Sequence, residues 1–335
     1  MVKILIIHKK NSPITTFIKT DYDILMNNFD CKLVYGVPGF GNPINYILNF
    51  FIGLIKFYDI AKNSDFIFSR WGDSFFAVFL GKITKTKVIL LIGGYDAVGD
   101  KKLKYGVFSN PILSKIVTWN IKNAHKILVV DESLKLELIK NTKTNGKNIF
   151  VLNNGYDSSF WKERGHKREY IITCAINQGK NFKTTHLVKG IDRFMKLARN
   201  YPKFKFLIIG VDLNKLKKIE KIPPNLRIIP PINQEKIREY YNKSIVYCQL
   251  SRYEGMPNSL CEAMLCGCIP IGTKVYGIPK IIGDSGLVIN KIEDINLESI
   301  INRDLTFKKN PRSQIVDNFS INKRINKIKF FFEGE

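Results

Sequence analysis

The chain has 335 residues, 45% of them hydrophobic, and its 53 Lys and Arg against 29 Asp and Glu give a formal net charge of +24. This length suffices for two domains with separate cores, and the composition excludes a collagen-like, low-complexity or disordered chain. The basic excess favours anionic partners (nucleotide diphosphates, anionic lipid headgroups or nucleic acid) without choosing among them, and part of it follows a general abundance of Lys, Ile and Asn.

The chain opens directly on a strand, Val2–Ile7, so no signal peptide is expected and the location is read as cytoplasmic. The six cysteines include no C-x2-C pair, which fits buried, reduced thiols. Short apolar runs at Ile4–Ile7, Leu33–Tyr35, Phe66–Phe68, Val88–Ile92, Ile127–Val130 and Ile149–Leu152 are the length of buried parallel strands. Helical patterns lie between them, so the first half reads as βαβ units of a doubly wound sheet. The turn His8–Pro13 lacks the glycines of a dinucleotide fingerprint, which argues against a dehydrogenase.

Several local features qualify this pattern. Gly36–Gly41 is glycine-rich but runs into Asn42-Pro43, and is read as a flexible loop near a ligand rather than a phosphate cradle. Ile44–Ile60 shows one narrow polar stripe (Asn45, Asn49, Lys56, Asp59), so a core helix is expected, with a segment lying in a bilayer surface as the alternative. Asp21-Tyr22-Asp23 has the spacing of a metal motif but falls in a helix, and no metal site is assigned. Arg70-Trp71 ends a strand, where Arg70 would meet a bound ligand such as a phosphate, or form a surface ion pair. The strand Val88–Ile92 ends in Gly93-Gly94-Tyr95-Asp96, where two glycines let a ligand approach the backbone; Asp96 would contact that ligand, or merely cap the next segment.

Val151–Asp157 closes the first half with an Asn-Gly turn, and the polar stretch Ser158–Lys167 reads as a hinge. A second domain starts at Tyr170. It holds an amphipathic helix after Lys189-Gly190, a strand ending at Gly210, and a strand at Leu226–Ile229 followed by Pro230-Pro231. The central stretch is Ser251-Arg-Tyr-Glu-Gly-Met-Pro-Asn-Ser-Leu-Cys-Glu262. It lies between a buried strand, Ser244–Leu250, and a helix read as Pro257–Cys266 and ended by Gly267. The turn Gly255-Met256 and the first turn of that helix offer free N–H groups, and the helix the positive end of a dipole, to a phosphate. Glu254 sits in the turn, and Glu262 roughly 7–8 Å further along the axis, so the two carboxylates can reach opposite ends of one extended ligand.

These residues resemble the Glu-x7-Glu signature of retaining glycosyltransferases of the GT-B fold, family four (glycosyl transferases group 1). The Gly-Gly-Tyr-Asp loop is similar to that of an archaeal or bacterial subgroup, and it lacks the histidine many members carry there. The resemblance implies an α/β protein of two Rossmann-like doubly wound domains facing a central cleft. Residues 1–157 would form an acceptor-binding domain and 168–312 a nucleotide-sugar domain, with 313–335 a helix crossing back to the first. It further implies that Glu254 approaches the donor sugar, Glu262 holds the ribose, and Lys189-Gly190 holds the diphosphate. Gly210, Gly255, Met256, Pro257, Asn258 and Ser259 would line the donor, Pro231 would stack on its base, and Arg70, Gly93, Gly94 and Tyr95 would serve the acceptor side or the phosphates. Asp96, contacting sugar or acceptor, joins Glu254 as a candidate catalytic residue. The arginine usual before the lysine is absent, with Lys180 or Lys183 as substitutes. His186, near Lys189, is read as a solvated loop histidine rather than a base.

The implied function is metal-independent, retaining transfer from a UDP- or GDP-linked sugar to a glycan or lipid-linked acceptor, in cell-surface polysaccharide or glycoconjugate synthesis. No cofactor beyond that co-substrate is expected. Peripheral contact with an anionic inner membrane face is an option, and nucleic acid is not expected because the lysines are spread through both halves. The competing readings are a non-catalytic sugar-nucleotide sensor and a basic nucleic-acid-binding protein.

Overall fold

The computed structural model describes residues 1–10, 12–38, 43–177, 181–302 and 304–334. The chain divides into two compact units, Met1–Asn153 with Arg324–Glu335, and Asn154–Lys323. In the first unit the elements run β1 (Lys3–Lys10), α1 (Thr16–Asn28), β2 (Asp30–Pro38), α2 (Pro43–Lys62), β3 (Phe66–Arg70) and α3 (Phe75–Thr84). They continue through β4 (Lys87–Ile92), α4 (Pro111–Asn123), β5 (Lys126–Val129), α5 (Glu132–Thr142) and β6 (Ile149–Val151).

The second unit starts with β7 (Tyr170–Asn177), α6 (Phe182–Val188), α7 (Ile191–Asn200), β8 (Lys205–Val211), α8 (Leu213–Lys217), β9 (Leu226–Ile229) and α9 (Gln234–Asn242). It goes on with β10 (Ser244–Gln249), α10 (Asn258–Leu265), β11 (Ile269–Thr273), α11 (Ile278–Ile282), β12 (Leu287–Ile289), α12 (Leu297–Ile301) and α13 (Pro311–Phe319). The last helix, α14 (Ile321–Glu333), starts in the second unit and ends in the first.

Both sheets are parallel and six-stranded, ordered β2-β1-β3-β4-β5-β6 and β12-β11-β10-β7-β8-β9. Their strands are apolar runs because helices cover both faces: Ile4–Ile7 and Val88–Ile92 are buried throughout. Strand order reverses between β1 and β3 in one sheet and between β7 and β10 in the other. The crevice outside the carboxyl ends of such strands is where open α/β sheets bind ligands.

Three expectations are corrected here. Ser158–Lys167 is part of the second unit rather than a free hinge: Trp161 is buried against Tyr241 at 5.8 Å, and Arg312 donates to the carbonyls of Ser158 and Trp161. The crossover does not begin at residue 313, because α13 packs on α10 and α11 and belongs to the second unit. Only from Arg324 onward does the chain join the first unit, where Phe332 packs on Phe66 at 5.2 Å and on Phe29 at 5.4 Å. Finally, α2 is not a core helix. Phe50, Phe57 and Ala61 are buried, but Ile47, Leu48, Phe51, Ile52 and Ile55 face outward. The glycine-rich loop falls largely outside the described residues, as does Lys180.

Candidate active site

The β7/β10 switch point brings Lys189, Gly190 and Glu254 of the second unit together. The chain leaves β10 through Leu250 and Ser251, turns at Glu254–Met256 and enters α10 one residue later than expected, with Pro257 as its N-cap. Beside this turn lies the Val188–Asp192 turn between α6 and α7. A Cβ on Gly190, whose φ is +68°, would collide with the Leu250 carbonyl, so only glycine allows the two turns to touch. The Arg252 amide donates to the Val188 carbonyl at 2.8 Å, and the Arg252 guanidinium grips Asp192 in a fork of 2.7 and 2.6 Å. This clamp places the Lys189 ammonium 2.7 Å from Glu254 Oε2, with the two side chains 30% and 15% exposed.

The floor under Glu254 is a chain of buried polar groups. Ser251 Oγ lies 3.4 Å from Glu254 Oε2 and accepts from Gln249 Nε2 at 2.8 Å. The Tyr247 hydroxyl lies 3.1 Å from Gln249 Oε1 and 2.7 Å from the Ser259 hydroxyl. At the start of α10, Asn258 Oδ1 accepts from Asn154 Nδ2 at 3.0 Å and from the Tyr156 hydroxyl at 2.8 Å. Asn258 and Ser259 thus have their side chains engaged within the protein, and the first turn of the helix presents backbone amides.

Glu262 lies four residues further along α10, about 6 Å of helix rise from Asn258. It is half-buried, and its carboxylate makes no hydrogen bond or ion pair among the described residues. Burial alone pushes its carboxyl up to about 8. Burial, and with it the Glu262 charge, also pushes the neighbouring Tyr241 and Tyr247 phenols up. Gly210 lies at the end of β8 with φ +103°; a Cβ there would sit 2.8 Å from the Ala175 carbonyl oxygen on β7. Pro231 is exposed beyond the end of β9, and Lys183 is exposed on α6. His186 is not a solvated loop residue: it is buried on α6 with Nε2 3.0 Å from Glu220 Oε2.

The residues expected on the acceptor side behave differently. Asp96 is buried, and its two oxygens accept the amides of Gly72 (2.8 Å), Gly94 (3.1 Å) and Gly93 (3.2 Å). It shapes the loop from within instead of facing a ligand, and burial pushes its carboxyl up. Arg70 forms no surface contact either. It is buried and ion-paired with Asp21, which also accepts Arg324 Nε at 2.7 Å. Asp21 is thereby a structural acid between two arginines. Gly93, Gly94 and the exposed Tyr95, whose ring meets Tyr105 edge-on at 5.3 Å, remain at the carboxyl edge of the first sheet.

Sequence reasoning missed the Arg252–Asp192 fork and the Asn154–Tyr156–Asn258 cluster. Arg252 stands inside the motif itself, two residues before Glu254, and that position was the available signal. The Asn258 cluster joins residues over a hundred apart, for which the sequence carries none.

The chain has the two-domain α/β fold of GT-B glycosyltransferases. HepE of Anabaena in complex with UDP matches with a TM-score of 0.77 at 12% identity, covering 100% of both chains. Sucrose-phosphate synthase of Thermosynechococcus elongatus matches at 0.74 and 14% identity, covering 100% and 99%. Within that fold, residues 180–315 match the family model for glycosyl transferases group 1. Among curated proteins, N-acetyl-alpha-D-glucosaminyl L-malate synthase of Bacillus anthracis is 29% identical over 53% of this chain and 49% of its own length. The phosphatidylinositol N-acetylglucosaminyltransferase GPI3 subunit of Saccharomyces cerevisiae is 21% identical over 51% of this chain and 40% of its own. The matched regions therefore span about half or less of these curated relatives.

Proposed function

We propose that the protein is a retaining glycosyltransferase whose second unit binds a nucleotide-diphosphate sugar and whose first unit takes a glycan or lipid-linked acceptor. The observation carrying this reading is the Lys189–Glu254 pair at 2.7 Å, set beside the open amides of α10 and on the same motif as the unpartnered Glu262. A donor entering this crevice meets each group in turn. Its diphosphate takes Lys189 and the amides of Gly255, Met256, Asn258 and Ser259, its sugar hydroxyls take Glu254, and its ribose hydroxyls donate to Glu262. The base lies towards Pro231 and the backbone near Gly210.

Transfer breaks the bond between the anomeric carbon and the diphosphate oxygen. Negative charge grows on the leaving diphosphate, where Lys189 and the α10 dipole stabilise it, and the step invokes no metal ion or further cofactor. The acceptor oxygen attacks from the leaving-group face and gives its proton to the departing phosphate oxygen, so the configuration is kept. The uridine nucleotides in the HepE complexes and the N-acetylglucosaminyl proteins among the relatives favour a UDP-linked donor over a GDP-linked one. The reading places the protein in the cytoplasm, peripheral at the inner face of the membrane, in polysaccharide or glycoconjugate synthesis.

The test is a thermal-shift screen against UDP-, GDP- and ADP-sugars, followed by donor hydrolysis and product analysis on isolated membranes. Stabilisation by a UDP-sugar with slow hydrolysis supports transfer. Stabilisation with no turnover under any acceptor makes the protein a sugar-nucleotide sensor, and no stabilisation by any of them sinks both readings.

A further inference from the structure

One face of α2 has no role in the donor site. Phe50 and Phe57 pack against Phe76 of α3 at 5.5 and 6.2 Å, which fixes the helix flat on the first unit. On the opposite side Ile47, Leu48, Phe51, Ile52 and Ile55 recur at helical spacing and form one apolar stripe, 54 to 81% exposed. Asp59, one turn beyond Ile55, ends it. Single exposed apolar residues are ordinary, whereas five in one stripe mark an interaction surface.

Beside the stripe, between α2 and the edge strand β2, lies a groove of about 530 Å³. Lys10, Lys32 and Lys56 line it with Tyr35 and Ile52, and no carboxylate is among its described lining residues. None of the three lysines is in an ion pair among the described residues, and Lys56 lies 5.6 Å from the Phe57 ring centre. Cations next to apolar side chains on a flat-lying helix match the boundary between headgroups and acyl chains. No described helix is long and apolar enough to cross a membrane, and the aromatic packing of its inner face keeps α2 on the protein. A second copy of the chain would bring lysines against lysines. A soluble anion would satisfy the lysines and leave the stripe in water.

We propose that α2 and the Lys10–Lys32–Lys56 groove are the surface by which the protein docks on a bilayer containing anionic phospholipids, with α2 in the plane of the interface. This specifies the membrane part of the reading above but rests on the first unit alone.

Vesicle sedimentation tests it, using the full chain and phosphatidylcholine vesicles with or without about one-third phosphatidylglycerol. The protein is expected to pellet with the anionic vesicles, weakly with phosphatidylcholine alone, and less as salt rises. The double variant Phe51→Ser/Ile55→Glu should cut partitioning at least about tenfold, and Lys32→Gln and Lys56→Gln roughly fivefold each. UDP-induced thermal stabilisation, read on each variant, should stay unchanged. Equal partitioning of the wild type and the double variant overturns the proposal. So does loss of vesicle binding to inorganic phosphate with no effect of the apolar variant, which would make the groove a soluble-anion site. A wild-type dimer that ignores vesicles and is split by the double variant would assign the face to a second copy and also overturn it. Vesicle binding without any nucleotide response would leave this surface standing and remove the donor reading instead.

Discussion

The carboxyl edges of the two parallel sheets carry acids of similar sequence context and opposite fate. In the first unit, Asp96 follows a strand and a glycine pair, yet its oxygens are taken by three backbone amides. Asp21, nearby in the fold, is enclosed between Arg70 and Arg324. In the second unit, Glu254 shares its charge with the accessible Lys189, and Glu262 has no partner at all among the described residues. An acid whose valences are filled from inside holds backbone in place. One left short of partners in a half-buried position costs stability until something else supplies donors. By that measure the acids of the second unit are the ones left open to a ligand, and those of the first hold backbone in place.

The sharpest way to break this contrast is to remove an acid from each side. Asp21→Ala leaves two buried guanidinium groups without a counter-charge, and should destabilise the protein by about 3–5 kcal/mol in chemical denaturation. Retained stability would mean that the cluster is not the anchor holding Arg324 and the end of the chain on the first unit. Next in size, Lys189→Ala should lower kcat/KM by roughly 10²–10³, about 2.7–4 kcal/mol, through loss of charge stabilisation on the leaving diphosphate, with stability almost unchanged. Glu254→Ala should lower kcat with donor binding nearly intact, and Glu262→Ala should weaken donor binding; titration and single-turnover rates separate the two. An inactive Asp21 variant with normal stability, or an unfolded Lys189 variant, would invert the assignment of roles.

The difference between the units also explains what could be read before any coordinates. The strands were legible because a parallel sheet buried on both faces demands unbroken apolar runs such as Val88–Ile92 and Phe206–Ile209. The Glu254 turn was legible because strand, tight turn, proline and helix follow within one short window, so local chemistry alone sets their geometry. The fates of Asp96 and Arg70 were not legible. Asp96 is held by backbone amides across a loop and Arg70 by Asp21, 49 residues away, and nothing local announces either. The outer face of α2 escaped for a related reason. Periodicity finds an apolar helix, but only the placement of Phe76 and its neighbours on α3 decides which side is covered. The stretch Ser158–Lys167 looked like a hinge from its polarity, while Trp161 within it carries the packing that ties it down.

A smaller effect tests the first unit's side of the comparison. Asp96→Ala leaves the amides of Gly72, Gly93 and Gly94 without their acceptor, at a cost of about 1–3 kcal/mol. Nucleotide binding, measured by titration calorimetry, should be unaffected. If Asp96 instead touched the sugar directly, the variant would stay stable and lose turnover, and the contrast between the two edges would fall.

The mildest prediction concerns protons at Glu262. Its folded carboxyl titrates near 8 against an ordinary value of 4.5, so between those pH values the folded state binds more protons than the unfolded one. Stability from this group is therefore present at low pH and declines as pH rises through about 8, levelling off above it. Glu262→Gln removes that slope, and the difference between wild-type and variant melting temperatures should shift steadily in the variant's favour from pH 5 to about pH 8. Donor binding must respond in the opposite sense. Ribose hydroxyls that donate two hydrogen bonds need the carboxylate, so affinity should rise with pH up to about 8, by at most about tenfold per unit. At pH 7 the free group is mostly protonated, so binding should release protons, seen as a dependence of the calorimetric heat on buffer ionisation. The Glu262→Gln variant should release none. Proton release that survives the substitution would place the titrating group elsewhere and take the ribose away from α10.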